Sequence, residues 1–103
     1  HEPDLLHYLL AKSEPCALAV VVEKSGSTPV PTGAVMAVNA LGGIVGTVGG
    51  GCGEHEIVKH ALQVLRTGKA RLIQLDMSND VAEEEGMVCG GRMKVWIEPF
   101  SEE

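Results

Sequence analysis

Cys16-Ala17-Leu18-Ala19-Val20-Val21-Val22 is an uninterrupted apolar run that ends in three β-branched residues. Its length suits a strand better than a helix, and β-branched side chains fit an extended, packed backbone. A strand with no polar residue in alternation predicts burial on both faces. Pro15, just before the run, bars continuation of any preceding helix. The run therefore predicts the central strand of a sheet, and the other elements must be arranged around it.

Upstream, Leu5, Leu6, Leu9 and Leu10 recur at helical spacing behind Pro3 and Asp4, which suit a first helical turn. Downstream, Ser25 to Gly33 holds too many breakers for a regular element and reads as a structured loop. Ala34–Val38 and Gly43–Val48 flank Asn39-Ala40-Leu41-Gly42, the pattern of two strands joined by a hairpin turn. From Glu54 onward, Ile57, Val58, Ala61, Leu62 and Leu65 share one helical face and Glu56, Lys59, Gln63 and Arg66 the other. Gly68 supplies the stop. Arg71 to Asp76 alternates as a strand, Asp80 to Glu85 reads as an acidic turn or short helix, and Met93 to Glu98 as a final strand closed by Pro99. This order predicts an α+β fold: a single domain over residues 1–103, with one mixed sheet and two helices packed on it.

Eight basic against fourteen acidic residues give a net charge of -6, and the basic residues do not cluster in sequence, so nucleic acid is not an expected partner. No apolar run approaches the roughly 20 residues that span a bilayer, and the first residues lack the pattern of a signal peptide. A cytoplasmic location without membrane partners is the expectation. Three widely spaced cysteines, Cys16, Cys52 and Cys89, are unlike the paired cysteines of a small secreted fold and are expected to be reduced.

The strongest chemical signal is Gly46-Thr47-Val48-Gly49-Gly50-Gly51-Cys52-Gly53-Glu54, a strand passing through glycines into an amphipathic helix. Glycines let a backbone approach a ligand, and free N–H groups with the helix dipole favour an anion such as a phosphate. A P-loop would need Lys and Ser or Thr after Gly51, and a dinucleotide fingerprint a small residue at Glu54, so neither motif applies. Cys52 stands where a helix N-terminus lowers a thiol pKa. Cys89 lies in a second glycine turn, Cys89-Gly90-Gly91, followed by Arg92, which suits an oxyanion or thiolate. The plainer alternatives are a tight strand-to-helix turn and two buried cysteines. Cys16 belongs to the core. A zinc site of Cys52, His55 and Cys89 lacks the usual paired spacing, His60 falls toward the polar helix face as a solvated side chain, and no catalytic acid–base pair is visible.

Three segments in order, Gly26-Ser27-Thr28-Pro29 through Gly33-Ala34-Val35-Met36, then Gly46 to Glu54, then Cys89-Gly90-Gly91, resemble the N-terminal domain of the XdhC/CoxI family. The resemblance runs from about Cys16 to Phe100. It implies an accessory protein, a chaperone more than an enzyme. Such a protein would transiently bind molybdenum cofactor (molybdopterin) and protect it while its sulfido ligand is installed. It would then insert the cofactor into a molybdenum hydroxylase of the xanthine dehydrogenase or CO dehydrogenase type. The resemblance also implies the residues facing that cofactor: Ser27, Gly49, Gly50, Gly51, Cys52, Glu54, Cys89, Gly90, Gly91 and Arg92, with Cys52 and Cys89 as candidate ligands to molybdenum. Val30 departs from the family's common arginine after the first-motif proline, and the C-terminal Rossmann-like domain of many relatives does not appear before Glu103.

The implied partners are the client hydroxylase, a cysteine desulfurase, a separate Rossmann-like domain protein and a second copy of the chain. Two other readings compete with the chaperone. In one, Cys52 or Cys89 carries sulfur as a persulfide in an enzymatic transfer. In the other, the domain is a non-catalytic scaffold.

Overall fold

The computed structural model describes residues 15–26, 31–46, 53–77, 81–82, 87–88 and 90–100. The elements are β1 (Cys16–Ser25), β2 (Val35–Asn39), β3 (Ile44–Val45), α1 (Glu54–Thr67), β4 (Arg71–Asp76), β5 (Val81–Ala82), β6 (Met87–Val88) and β7 (Arg92–Phe100). Five strands form one sheet in the order β3-β2-β1-β7-β4, and β5 pairs with β6 separately. The fold is α+β, and the apolar run of β1 occupies the centre of the larger sheet. Every described pairing is antiparallel, where a mixed sheet was expected. The reason is topological: the helix between β3 and β4 returns the chain to the far edge of the sheet, beside β7 instead of beside a parallel neighbour. The expected N-terminal helix lies outside the described residues.

Ala17, Ala19 and Val21 alternate onto one face of β1, in register with Val38 and Met36 on β2 and with Ile97 and Val95 on β7. All are buried in a single core that includes Ile57, Ala61 and Val64 of α1. The helical face is close to the one expected, but its fully buried stripe is Ile57, Ala61 and Val64, with Val58, Leu62 and Leu65 only partly buried. Gly68 ends the helix as expected, in the left-handed conformation with its N–H donated to the Val64 carbonyl at 2.7 Å. The opposite face of the sheet is only half covered. Cys16 and Ala37 are buried there among Leu18, Val35, Val45 and Phe100, while Val22, Leu72 and Trp96 remain exposed. Burial of β1 on both faces is therefore complete only on the side of α1.

The hairpin between β2 and β3 is where the sequence placed it. The Asn39 side chain holds the turn, its Oδ1 accepting from the Leu41 and Gly43 N–H groups at 2.9 and 2.8 Å. Two boundaries differ from expectation. Val81–Ala82 forms a strand with Met87–Val88, where an acidic turn or short helix was expected. Two-residue strands are too short to carry a period, which is why pattern reading passes over them. β7 runs through Pro99, opposite Ala17, to Phe100. Beyond Ile97 β7 has no β4 neighbour and is a local edge, where proline's missing donor is tolerated.

Candidate functional site

The site grows from the end of the sheet where β1 finishes and β7 begins. Ser25 lies opposite Arg92, and Asp76, the last residue of β4, lies opposite Arg92 on its other side. Gly26 and Gly91 continue from these strand ends in left-handed conformations, φ 79° for both. A β-carbon on Gly26 would stand 2.8 Å from the Gly91 Cα, so only glycine permits this approach of backbone to backbone. The Gly91 carbonyl accepts from the Met77 N–H at 2.9 Å, which ties the start of β7 to the end of β4. Ser25, Gly26, Asp76, Gly91 and Arg92 line an open cavity of about 290 Å³.

The helix N-terminus reaches the same end of the sheet. Gly53, at φ 73°, precedes α1, and a β-carbon there would meet Leu75 Cδ1 and Met93 Cε at 3.1 Å and Met77 Sδ at 3.4 Å. The glycine thus seats the helix start on the β4 and β7 side chains. Gly53 supplies no side-chain cap, and the helix carries Glu54 and Glu56 in its first turn, which suit the positive end of the dipole. One glycine from each motif segment, Gly26, Gly53 and Gly91, is in this way brought to one end of one sheet, although up to 65 positions separate them in sequence (26 to 91).

Arg92 Nε lies 3.7 Å from Asp76 Oδ2, and both side chains are more than half exposed. This is a loose, solvated pair that leaves guanidinium donors available to an anion. Of the expected site residues, Gly91 and Arg92 line the cavity, Gly90 precedes them, and Glu54 opens the helix, which does not line it. Ser27, Gly49, Gly50, Gly51, Cys52 and Cys89 lie outside the described residues, as does Val30. Cys16, expected in the core, is buried at 2% exposure. Among the described residues no three of His, Cys, Asp and Glu are grouped to hold a metal, and no buried side-chain polar atom lacks a hydrogen-bond partner.

Two features escaped the sequence reading. Asp76 joins the site only through strand register. His60 is not the solvated side chain expected: it is about three-quarters covered, and its Nδ1 lies 3.0 Å from Arg71 Nη1, which also donates to Gln63 Oε1. Burial lowers the His60 pKa below 6.5, the Arg71 and Lys59 charges lower it further, and Glu56 partly opposes them.

An anionic group would find here the glycine backbone of Gly26 and Gly91 and the Arg92 guanidinium, with the Asp76 carboxylate opposing it. No described helix is long and apolar enough to cross a membrane.

The profile of the XdhC and CoxI family matches residues 9–76. The uncharacterized protein YqeB of Escherichia coli (strain K12) is 43% identical over 83 residues, which cover 81% of this chain and 15% of that protein. A crystal structure of a xanthine dehydrogenase from Bacillus halodurans superposes with a TM-score of 0.79 at 28% identity, covering 93% of this chain and 29% of that one. The chain therefore spans less than a third of the length of either relative. Glycine turns in matching order, the antiparallel sheet that joins them and the profile match agree, and the chain belongs to the XdhC and CoxI family.

Proposed function

We propose that this domain binds molybdenum cofactor and serves as an accessory protein to a molybdenum hydroxylase of the xanthine dehydrogenase or CO dehydrogenase type, shielding the cofactor and handing it over. The observation that carries the reading is the meeting of Gly26 and Gly91, next to Arg92, at the end of the sheet whose other face receives the start of α1, in a chain of this family.

The backbone around Gly49, Gly50, Gly51, Gly90 and Gly91, with the Ser27 hydroxyl, would hold the cofactor's phosphate. Arg92 would add a charge-assisted contact. The Glu54 carboxylate would accept from N–H groups of the pterin ring. Cys52 and Cys89 would supply thiolates, which are soft donors to molybdenum. When bound, the cofactor supplies the oxygen-transfer and redox chemistry of its client enzyme. The domain's own contribution is to bind, orient and exclude water, and a second copy or a partner domain would complete the cover over an open cavity of this kind. A cysteine desulfurase and a Rossmann-like partner belong to the same proposal, as does a cytoplasmic location.

The test is anaerobic titration of the reduced protein with molybdenum cofactor, comparing wild type with Cys52→Ser, Cys89→Ser and Arg92→Gln. Saturable binding that the cysteine substitutions weaken supports the reading. Absence of binding by the wild type, or binding indifferent to all three substitutions, overturns it.

A further inference from the structure

β1 is apolar on both of its faces. Ala17, Ala19 and Val21 meet α1, while Leu18 and Val20 alternate onto the other side, where a strand against water would carry polar residues. Strand register widens this second apolar face. Val35 of β2, Val20, Trp96 of β7 and Leu72 of β4 form one row across four strands. Val45, Ala37 and Leu18 form the next, closed by Glu98, and Cys16 with Phe100 a third. Trp96 and Leu72 stay exposed, and the Trp96 Nε1 donates to Glu98 Oε1 at 2.9 Å. Beyond Val20 the face turns polar. Pairing passes from Val21–Val95 to Glu23–Lys94, which makes Val22 the extra residue of a bulge, and past it Glu23, Lys94 and Gln74 form one row and Ser25, Arg92 and Asp76 another. The apolar stretch therefore runs from Cys16 to Val20, about 13 Å at the rise of a strand.

The chain carries a matching surface to this place. Residues 4–13, with leucines at 5, 6, 9 and 10 on one helical side, precede the central strand through only Glu14 and Pro15. The three steps from Ser13 to Cys16 reach at most ~11 Å, close to the spacing between a sheet and a layer packed on it, so the segment is held beside the Cys16 end of β1. On the side of Ala17 the sheet already receives Ile57, Ala61 and Val64 of α1. The opposite side holds only the shallow cluster of Cys16 and Ala37 with Leu18, Val35, Val45 and Phe100. Ten helical residues measure about 15 Å, the length of the apolar stretch and no longer.

We propose that residues 4–13 form a helix docked on this open face of the sheet, its leucines seated over Leu18, Val20 and Phe100. The helix completes the second layer that β1 requires, and its length leaves the polar rows and the Gly26–Gly91 end of the sheet clear. The docking stands apart from the cofactor reading, and neither depends on the other.

The test uses the full chain with labelled methyl groups and reads nuclear Overhauser contacts. The expected result is contacts from the Leu6, Leu9 or Leu10 methyls to Leu18, Val20 and the Phe100 ring, present within a chain and absent between chains in a mixture of labelled and unlabelled protein. Leu9→Asp is expected to abolish them and to raise the relaxation of the Leu18 and Val20 methyls by a soluble paramagnetic agent. Val95 and Ile97, beneath α1, stay protected in that variant and certify its fold. Leucine contacts to α1 alone, or none to the sheet, would overturn the proposal. Contacts seen only between chains would give the face to a second copy and overturn it as well, as would unchanged relaxation at Leu18 and Val20 in a folded Leu9→Asp. Should that variant fail to fold, the wild-type contacts decide.

Discussion

Gly26 and Gly91 touch through their backbones, a β-carbon on the first falling 2.8 Å from the Cα of the second, and both adopt φ 79°. Two strands that run side by side for most of their length thereby stay close past their ends, where loops would ordinarily diverge. Gly26→Ala must pay for the left-handed conformation and for a clash with backbone that no side-chain rotation relieves. Gly42 has φ 86° but nothing within 4 Å of a built β-carbon, so Gly42→Ala carries the conformational cost alone. The expected losses are about 1 kcal/mol at Gly42 and at least ~2 kcal/mol at Gly26. Urea unfolding of the two variants beside wild type measures the difference, and equal losses would show that the close approach contributes nothing.

Arg92 separates stability from binding. Its pair with Asp76 is long and exposed, so Arg92→Gln is expected to lower stability by no more than ~0.5 kcal/mol. Thermal unfolding checks this, and the same variant is expected to weaken molybdenum cofactor binding. A large fall in melting temperature would reveal a structural role that the geometry does not indicate.

Met93 is buried at 1% exposure, and its methyl group lies beneath Gly53 at the start of α1. Met93→Ala opens a cavity under the helix N-terminus and is expected to cost about 2–5 kcal/mol. If the helix start depends on this support, hydrogen exchange in the first turn of α1 rises more than in its last turn. Uniform acceleration along the helix would place the effect in global stability alone.

His60 makes stability depend on pH. Its folded-state pKa lies below the ordinary 6.5, first because of burial and then because of Arg71. The unfolded chain therefore takes up the proton first as pH falls. The contribution of the neutral imidazole is complete above pH 6.5 and is lost as pH falls from there through the lowered folded value. Protonation also removes the acceptor that faces Arg71 Nη1. Denaturation between pH 7.5 and 5 is expected to show a steeper loss in wild type than in His60→Gln, and the difference between the two isolates the histidine. A His60 titration midpoint at 6.5 would abolish the effect, and one above 6.5 would reverse its sign.

Much of the architecture was legible in the residues themselves, because it rests on periodicity and on backbone chemistry. The apolar run of β1, the alternation from Arg71 to Asp76, the Asn39 turn and the helix ended by Gly68 each act over a few neighbouring residues, and each appears as expected. The helical stripe was also legible, though the burial of Val64 ahead of Val58, Leu62 and Leu65 depended on how the helix met the sheet.

Tertiary structure alone decided what depends on pairing across the chain. The antiparallel sense of every described ladder, the bulge that turns Glu23 and Ser25 toward Arg92 and Lys94, the arrival of Asp76 beside Arg92, and the cover over His60 all follow from strand order and register. Local sequence carries no record of a partner tens of residues away, and a shift of one residue reverses which face a side chain occupies. The sequence by itself determined the elements and the glycine turns that could admit a ligand. Folding determined which of those turns meet, because only the packed sheet brings Gly26 against Gly91 and the start of α1 onto Met93.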